Sequence, residues 1–149
     1  MNKDIRIEKF TKDYLPLMEF KKMHFFESMI IKDINVKLDI LEKTGNGLVL
    51  IYDNIILGLM GHFVLWDGVC EVWAMPTVDV DKYPKTYLSS IREQMIKVFN
   101  ESEYHRFQIT CPDTDHFDSW ATFLGFTCEG TLKQFINKEL NGKIWARIK

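Results

Sequence analysis

The stretch WATFLGFTCEGTLKQF, residues 120–135, contains the change of period that decides the fold. Its first part has apolar residues at helical spacing and ends at Leu124-Gly125-Phe126. A glycine directly after the last apolar position is typical of a helix C-terminus. From Phe126 onward, apolar and polar residues alternate as in a strand. The stretch therefore predicts a helix that turns at a glycine into a strand.

Upstream of this stretch, three β-rich runs follow one another closely. LVLIY and IILGLMGHFVLW are separated by Asp53-Asn54, and Asp67-Gly68 precedes VCEVWAM. Two-residue polar turns of this kind are typical of hairpins. The middle of the chain therefore predicts an antiparallel meander.

The flanking patterns complete the order of elements. Before the meander, the patterns predict a strand near 5–7, a helix over 14–28 and a helix from a cap at 33 to 45. After the meander, they predict a helix over 84–99, a strand over 104–111 and a helix over 114–124. Two strands follow, over 126–136 and 143–148, with Asn141-Gly142 between them. The order is β-α-α-β-β-β-α-β-α-β-β, which predicts an α/β (α+β) fold with a mixed, mostly antiparallel central sheet flanked by helices. No linker composition divides it, so residues 1–149 are expected to form a single domain.

Composition limits the classes of function. The 19 Lys and Arg residues and 21 Asp and Glu residues give a formal charge of -2, without a long block of either sign. Nucleic-acid binding, which depends on clustered cations, is therefore not expected. The most apolar window, 48–66, is interrupted by polar residues, so no membrane span is expected, and the N-terminus lacks a signal-peptide pattern. We expect a cytoplasmic protein.

The cysteines and histidines show no ligand spacing. Cys70, Cys111 and Cys128 are odd in number, and no pair has the spacing of a metal or redox motif. The four histidines are equally scattered. We expect free thiols and no metal.

The order of elements, together with Leu124-Gly125-Phe126, the run Glu129-Gly130-Thr131-Leu132, and Asn141-Gly142-Lys143 before IWARI, resembles the GNAT acyltransferase superfamily. The likeness in element order covers nearly the whole chain, whereas its motifs lie in 71–76 and 120–149. Within the superfamily, Trp73-Ala74, Asp79-Val80-Asp81 and Trp120 resemble small GNAT-like proteins of tailed phages. That narrower resemblance implies that the protein is located in the cytoplasm of a phage host.

The resemblance implies a gap between the strands near 71–75 and 104–110 that holds the pantetheine arm of acetyl-CoA, the co-substrate. Backbone groups of the first strand would hydrogen-bond that arm like an added strand. The pyrophosphate would meet the N-terminus of the helix starting near Pro84. The residues that the resemblance assigns to the cofactor are Trp73, Ala74, Met75, Lys82, Lys85 and Trp120.

The loop that should hold the pyrophosphate departs from the family pattern. Its two glycine positions are occupied by Lys82 and Pro84, and proline brings no N–H donor. Asp79 and Asp81 would each repel a phosphate by about 1 kcal/mol at a surface-like dielectric. Lys82 and Lys85 would offset part of that repulsion.

The resemblance also implies a base and an acid. Glu71 stands where these enzymes often keep a carboxylate that deprotonates the amine, directly or through water. The alternative is that Glu71 is an outward-facing strand residue. The family's acid is a tyrosine four residues before the glycine, where this chain has Ala121. Tyr83, Tyr87 or Cys111 would have to replace it.

Two functions are consistent with these patterns. The first is an acetyl-CoA-dependent N-acyltransferase that moves an acetyl group to an amine of a small molecule or protein. The alternative is a non-catalytic GNAT-fold phage protein that binds a virion component or a host factor, with the surface near Trp66 and Trp145 as its contact. The aromatic content of 13% is compatible with an apolar homodimer patch and equally with a filled core.

Overall fold

The computed structural model describes residues 4–21 and 34–149. The strands are β1 (Ile5–Lys9), β2 (Gly47–Tyr52), β3 (Ile55–Trp66), β4 (Val69–Pro76), β5 (Arg106–Pro112), β6 (Thr127–Asn137) and β7 (Leu140–Ile148). The α-helices are α1 (Ile34–Thr44), α2 (Pro84–Glu101) and α3 (Asp115–Phe123), and short 3-10 helices span Lys12–Leu17 and Val78–Lys82. No helix within the two described ranges is long and apolar enough to span a membrane.

All seven strands form one sheet in the order β1-β2-β3-β4-β5-β7-β6. Neighbouring strands are antiparallel except β4 and β5, which are parallel. The β2–β3 turn has the expected chemistry, since Asp53 and Asn54 both take positive φ angles, of 53° and 59°. The predicted fold class, a mixed and mostly antiparallel sheet flanked by helices, is confirmed.

The core is divided between the two faces of the sheet. On one face, α2 and α3 cover a cluster that includes Ile91 and Phe107, each exposing 1% of its surface or less. On the other face, α1 and the first 3-10 helix cover a smaller cluster that includes Phe10 and Leu41. The strands are therefore apolar on both faces, which explains their nearly continuous hydrophobic runs.

The helix predicted over 14–28 is wrong in its described part. A 3-10 helix ends at Leu17, and Met18 is already extended. Pro16 lies inside this turn, and proline removes a backbone donor and obstructs α-helical propagation. Beyond it, Phe20 forms a β-bridge with Thr77 instead of continuing a helix. Residues 22–28 and the predicted cap at 33 lie outside the described residues.

The turn between the last two strands is also not where the sequence predicted it. Asn141-Gly142 lie inside β7, and β6 and β7 are joined at 138–139. Asn137 stabilises that turn, because its side-chain oxygen accepts the Glu139 N–H at 2.8 Å. Gly142 serves packing instead: a Cβ there would lie 2.9 Å from Cδ1 of Phe135. A glycine required for packing thus resembled a turn glycine in the sequence.

The glycine turn of the opening stretch is present as predicted. Gly125 has a φ of +88°, which glycine tolerates better than other residues. The N–H of Phe126 donates to the carbonyl of Ala121 at 3.1 Å, and the N–H of Gly125 donates to that of Thr122 at 3.0 Å. These bonds pair carbonyls that the end of α3 would otherwise leave free, and they direct the chain into β6.

Candidate functional site

The two parallel strands at the centre of the sheet pair over a short distance and then separate. Within the described chain, the β4–β5 register covers Val69 with Arg106, Cys70 with Phe107 and Glu71 with Gln108. Both strands continue beyond this point, β4 to Pro76 and β5 to Pro112. The expected gap between neighbouring strands is therefore present, and it begins next to Glu71.

Beyond the last β4–β5 pair, each strand has a strand partner on its outer side only, as far as the described residues show. Residues 72–76 of β4 pair with β3, and residues 109–112 of β5 pair with β7. The inner edges of residues 72–75 and 109–111 consequently face the gap without a strand partner, whereas the Pro76 carbonyl accepts the Lys21 N–H at 2.9 Å. An extended molecule that carries amides can bind such an edge in the manner of an additional strand.

A cavity of about 270 Å³ occupies the gap and the space between it, α2 and α3. Ala74 and Trp120 line it, together with apolar side chains of both helices. Trp73 instead packs on the opposite face with the α1 cluster, and Met75 is buried. Of the residues predicted for the cofactor, Ala74 and Trp120 thus line the cavity, whereas Trp73 and Met75 do not.

The two predicted lysines lie away from the cavity. Lys82 pairs with Asp79 at 2.9 Å, and Lys85 is an exposed residue in the first turn of α2. The cavity is lined instead by Lys21, which pairs with Asp81 at 2.6 Å. Lys21 could not be predicted from the sequence, because its partner Asp81 lies 60 residues away along the chain.

The segment in place of a glycine-rich loop is a 3-10 helix. Val80 anchors it in the core with 7% of its surface exposed, and Pro84 follows at the start of α2. This geometry differs from a glycine cradle whose N–H groups surround a phosphate. However, the charges of Asp79 and Asp81 are each compensated by a lysine, so the expected repulsion of an anion is reduced.

Glu71 is half-buried where the gap begins. Burial raises the pKa of its carboxyl, while the charge of Lys37 and a hydrogen bond with Thr110 partly oppose the rise. Thr110 lines the cavity and Glu71 does not, so Glu71 is linked to the cavity wall through Thr110. A carboxylate with a raised pKa accepts a proton more readily, which suits it to act as a general base.

Two of the three predicted proton donors reach the cavity. Tyr87 and Cys111 line it, whereas the hydroxyl of Tyr83 lies 3.5 Å from a carboxylate oxygen of Asp53. Burial, together with the charges of Asp118 and Glu71, raises the pKa of the Cys111 thiol to about 12. The thiol is therefore protonated at neutral pH and is a weak acid.

Tyr87 has an uncommon environment for a hydroxyl group. The residue exposes 5% of its surface, and its oxygen has no hydrogen-bond partner among the described residues. Burial raises the pKa of the phenol. Since buried hydroxyls are normally paired, this oxygen is a free donor at the wall of the cavity.

Other functional candidates become visible only in three dimensions. His116, in the first turn of α3, lines the cavity, and its ring centroid lies 5.4 Å from that of Phe117. The sequence contains one signal that could have identified His116. Thr114 caps a helix shortly after β5, so the first turn of that helix lies at the end of a central strand. Ala121, at the position of the family's acid, is fully buried in the core.

Comparisons with known proteins identify the fold. No family model matches the sequence, and no curated protein is similar enough to be matched. Among solved structures, an acetyltransferase of the GNAT family from Bacillus anthracis matches with a TM-score of 0.69 at 15% identity, over 97% of this chain and 94% of that one. The ribosomal-protein-alanine N-acetyltransferase from Brucella melitensis matches with a TM-score of 0.72 at 17% identity, over 97% and 99%.

A third structure shows what this architecture can hold. The microcin C7 self-immunity acetyltransferase, in complex with acetyl-CoA and AMP, matches with a TM-score of 0.68 at 15% identity, over 99% of this chain and 94% of that one. The TM-scores of these matches establish the fold. The sequence identities are too low to establish the activity, because one fold can host many functions.

Proposed function

Since the chain has the GNAT acetyltransferase fold, we propose that it transfers an acetyl group from acetyl-CoA to an amine of a small molecule or protein. One observation carries this proposal: β4 and β5 separate directly after Glu71, and a cavity of about 270 Å³ fills the opening. A gap with free backbone edges suits the pantetheine arm, and a half-buried carboxylate beside it suits an amine. The narrower likeness to tailed-phage proteins stays a prediction.

In the proposed complex, the backbone at 73–75 hydrogen-bonds the amides of the pantetheine arm, with Ala74 leaving space above the strand. Trp120 and the other apolar walls exclude water from the arm. Among the described residues, Lys21 is the lysine that lines the cavity, although it already pairs with Asp81. We therefore expect the phosphates to be held less tightly than in a glycine-rich loop.

The proposed reaction needs one base and one acid. Glu71 takes a proton from the acceptor ammonium, and the free amine attacks the thioester carbon. The carbon–sulfur bond then breaks, the attacking nitrogen releases its second proton to water, and the departing thiolate takes up a proton. We assign that proton to His116, because it lines the cavity and histidine is the side chain that most often serves as a general acid or base.

Cofactor binding is the first test. At 100 times its dissociation constant, acetyl-CoA should add about 2.7 kcal/mol to the free energy of unfolding. For a domain of this size, that corresponds to a rise in melting temperature of roughly 5–10 °C. An unchanged melting temperature at millimolar acetyl-CoA would refute the proposed activity.

The role of Glu71 is tested by Glu71→Gln, with Glu103→Gln, an exposed site, as the matched control. Release of the CoA thiol is followed with a panel of small amines and peptide amines. We expect turnover to fall by about 10² to 10⁴ in Glu71→Gln, with acetyl-CoA affinity unchanged, and to stay constant in the control.

The pH profile gives an independent check of the same residue. Because the pKa of Glu71 is raised above its ordinary value of 4.5, the rate should decline with falling pH at a higher pH than for an exposed glutamate. The residual rate of Glu71→Gln should lack this limb. Identical profiles for the two proteins would exclude Glu71 as the base.

One observation favours the non-catalytic alternative. The end of the β3–β4 hairpin exposes apolar side chains, with Val64 at 52% and Trp66 at 66% of their surface. Trp145, which the sequence placed on the same surface, is instead buried with 6% exposed. A binding protein would tolerate Glu71→Gln and would lose its partner with Trp66→Ser, whereas the enzyme would show the opposite pattern.

A further inference from the structure

The ammonium group of Lys37 lies on the sheet among aromatic side chains. Its Nζ is 5.8 Å from the ring centroid of Phe63 and 5.7 Å from that of Trp73. Leu41, one turn further along α1, is fully buried, and a Cβ on Gly61 would lie 2.5 Å from its Cδ2. This close contact holds α1 against the sheet and directs Lys37, on the same face of the helix, over the neighbouring residues of β3 and β4.

The same face of the sheet carries Glu71. In the β3–β4 register, Phe63 is directly opposite Glu71, and Trp73 follows Glu71 by two residues on β4. Strand alternation places all three side chains on one face. The charge of Lys37 acts on Glu71, since it partly opposes the rise in the pKa of that carboxyl. Two rings and one carboxylate thus surround an amine of the chain itself.

Glu71 connects this cluster to the cavity. Thr110, which lowers the pKa of the Glu71 carboxyl, lines the cavity in the gap. The gap begins one residue beyond the last β4–β5 pair, which is Glu71 with Gln108. A thioester in the gap would therefore be approached from the Lys37 side of the sheet through the opening beside Glu71.

We propose that Lys37 is an acetyl acceptor of this chain, so that the protein acetylates its own helix α1. The inference rests on the proposed acetyl-CoA-dependent function. It follows from the arrangement of Phe63, Trp73 and Glu71, because aromatic faces hold an ammonium group and an adjacent carboxylate removes its proton.

The reaction balances without an additional reagent. The Lys37 ammonium gives one proton to Glu71, and its nitrogen forms a bond to the acetyl carbon of acetyl-CoA. The carbon–sulfur bond breaks, and CoA leaves as a thiolate. The thiolate takes its proton from His116, so CoA departs as a thiol. The second proton of the nitrogen and the proton on Glu71 pass to water, from which His116 is reprotonated.

Acetylation would change the site that performs it. The modified side chain has no charge, so it loses its interaction with both rings and no longer acts electrostatically on Glu71. Any other amine that binds beside Phe63 and Trp73 must first displace the Lys37 ammonium group from these two rings.

The test uses the whole protein incubated with acetyl-CoA alone, followed by intact mass measurement and peptide mapping. Lys43 is the internal control, because it is an exposed lysine in the last turn of the same helix. We expect Lys37 to gain an acetyl group at least tenfold faster than Lys43, at a first-order rate independent of protein concentration. In Glu71→Gln, the Lys37 rate should fall by about a hundredfold, with the Lys43 rate unchanged.

A second variant separates this inference from the function on which it rests. Lys37→Arg keeps the positive charge and the aromatic contacts but offers no acceptor amine. We expect it to retain the acetyl-CoA thermal shift and to lose the acetylated peptide. If wild type shows the thermal shift but labels Lys37 no faster than Lys43, self-acetylation is refuted and the proposed function stands. If wild type shows no shift, both are refuted.

Discussion

Replacement of Tyr87 by phenylalanine is the sharpest test of the cavity wall. The phenol is 5% exposed, and its hydroxyl oxygen is without a hydrogen-bond partner in the described ranges. Its ring lies so close to β3 that a Cβ on Gly58 would be 2.6 Å from Cε2. Tyr87→Phe therefore removes one oxygen atom and leaves the packing of the ring in place.

The magnitude follows from the cost of an unpaired buried group. A buried donor without a partner costs about 1–3 kcal/mol, and the loss of one atom's contacts offsets part of this cost. We expect the variant without ligand to be more stable by about 1 kcal/mol, or roughly 2–4 °C in melting temperature. Urea denaturation with an unchanged slope is the assay.

A matched control uses a tyrosine whose hydroxyl is paired. Tyr14 donates to the carboxylate of Glu8, so Tyr14→Phe should lose about 0.5–1.5 kcal/mol of stability. The opposite signs of the two variants are the essential result. A loss of stability in Tyr87→Phe equal to that in Tyr14→Phe would show that the Tyr87 hydroxyl is satisfied and that our reasoning about the cavity wall is wrong.

The same variant reports on the ligand. If the free hydroxyl donates to bound acetyl-CoA, Tyr87→Phe should weaken acetyl-CoA binding by about tenfold, which is the equivalent of one hydrogen bond of about 1.4 kcal/mol. The thermal shift with acetyl-CoA would then be smaller in the variant than in wild type. An equal shift in both proteins would remove Tyr87 from the binding site.

Further predictions concern packing and thiol reactivity. Gly58→Ala should lower the free energy of unfolding by about 1–3 kcal/mol in urea denaturation. The added Cβ would lie 2.6 Å from Cε2 of Tyr87 and 2.8 Å from the Met75 carbonyl oxygen. An unchanged free energy of unfolding would show that β3 can shift. With iodoacetamide at mildly alkaline pH, Cys128, which is exposed, should react in the native protein, whereas the buried Cys70 and Cys111 should react only after denaturation. Native-state labelling of Cys111, whose pKa is raised to about 12, would contradict its assigned burial.

The parts of the fold that the sequence predicted correctly depend on short-range patterns. The β2–β3–β4 meander was visible because a two-residue turn and the alternating runs beside it are local. The Gly125 turn was visible for the same reason, since a positive φ after a helix favours glycine wherever it occurs. The error at Gly142 had a long-range cause, because Phe135 packs on this glycine. The error over 14–28 had a local cause, Pro16, and a long-range one, the pairing of Phe20 with Thr77.

The candidate site was predictable only in part. Glu71 was chosen from its place in a resemblance, and the structure adds why its chemistry is suitable: it is half-buried and next to Thr110 and Lys37. Lys21 and Lys37 were missed, since neither belongs to a motif. Each gains its role from a partner on a distant segment, which spacing along the chain does not reveal.

By itself, the sequence determined the order of elements from β2 onward, the glycine at which α3 turns into β6, and the absence of a glycine-rich loop at 79–84. These are consequences of local backbone preference, which each short segment carries with it. Only the tertiary structure decided that β4 and β5 separate after Glu71, and which charges meet around the gap. Strand separation depends on the outer partners β3 and β7 and on the helices packed against the opening, so it results from contacts between segments remote in the chain.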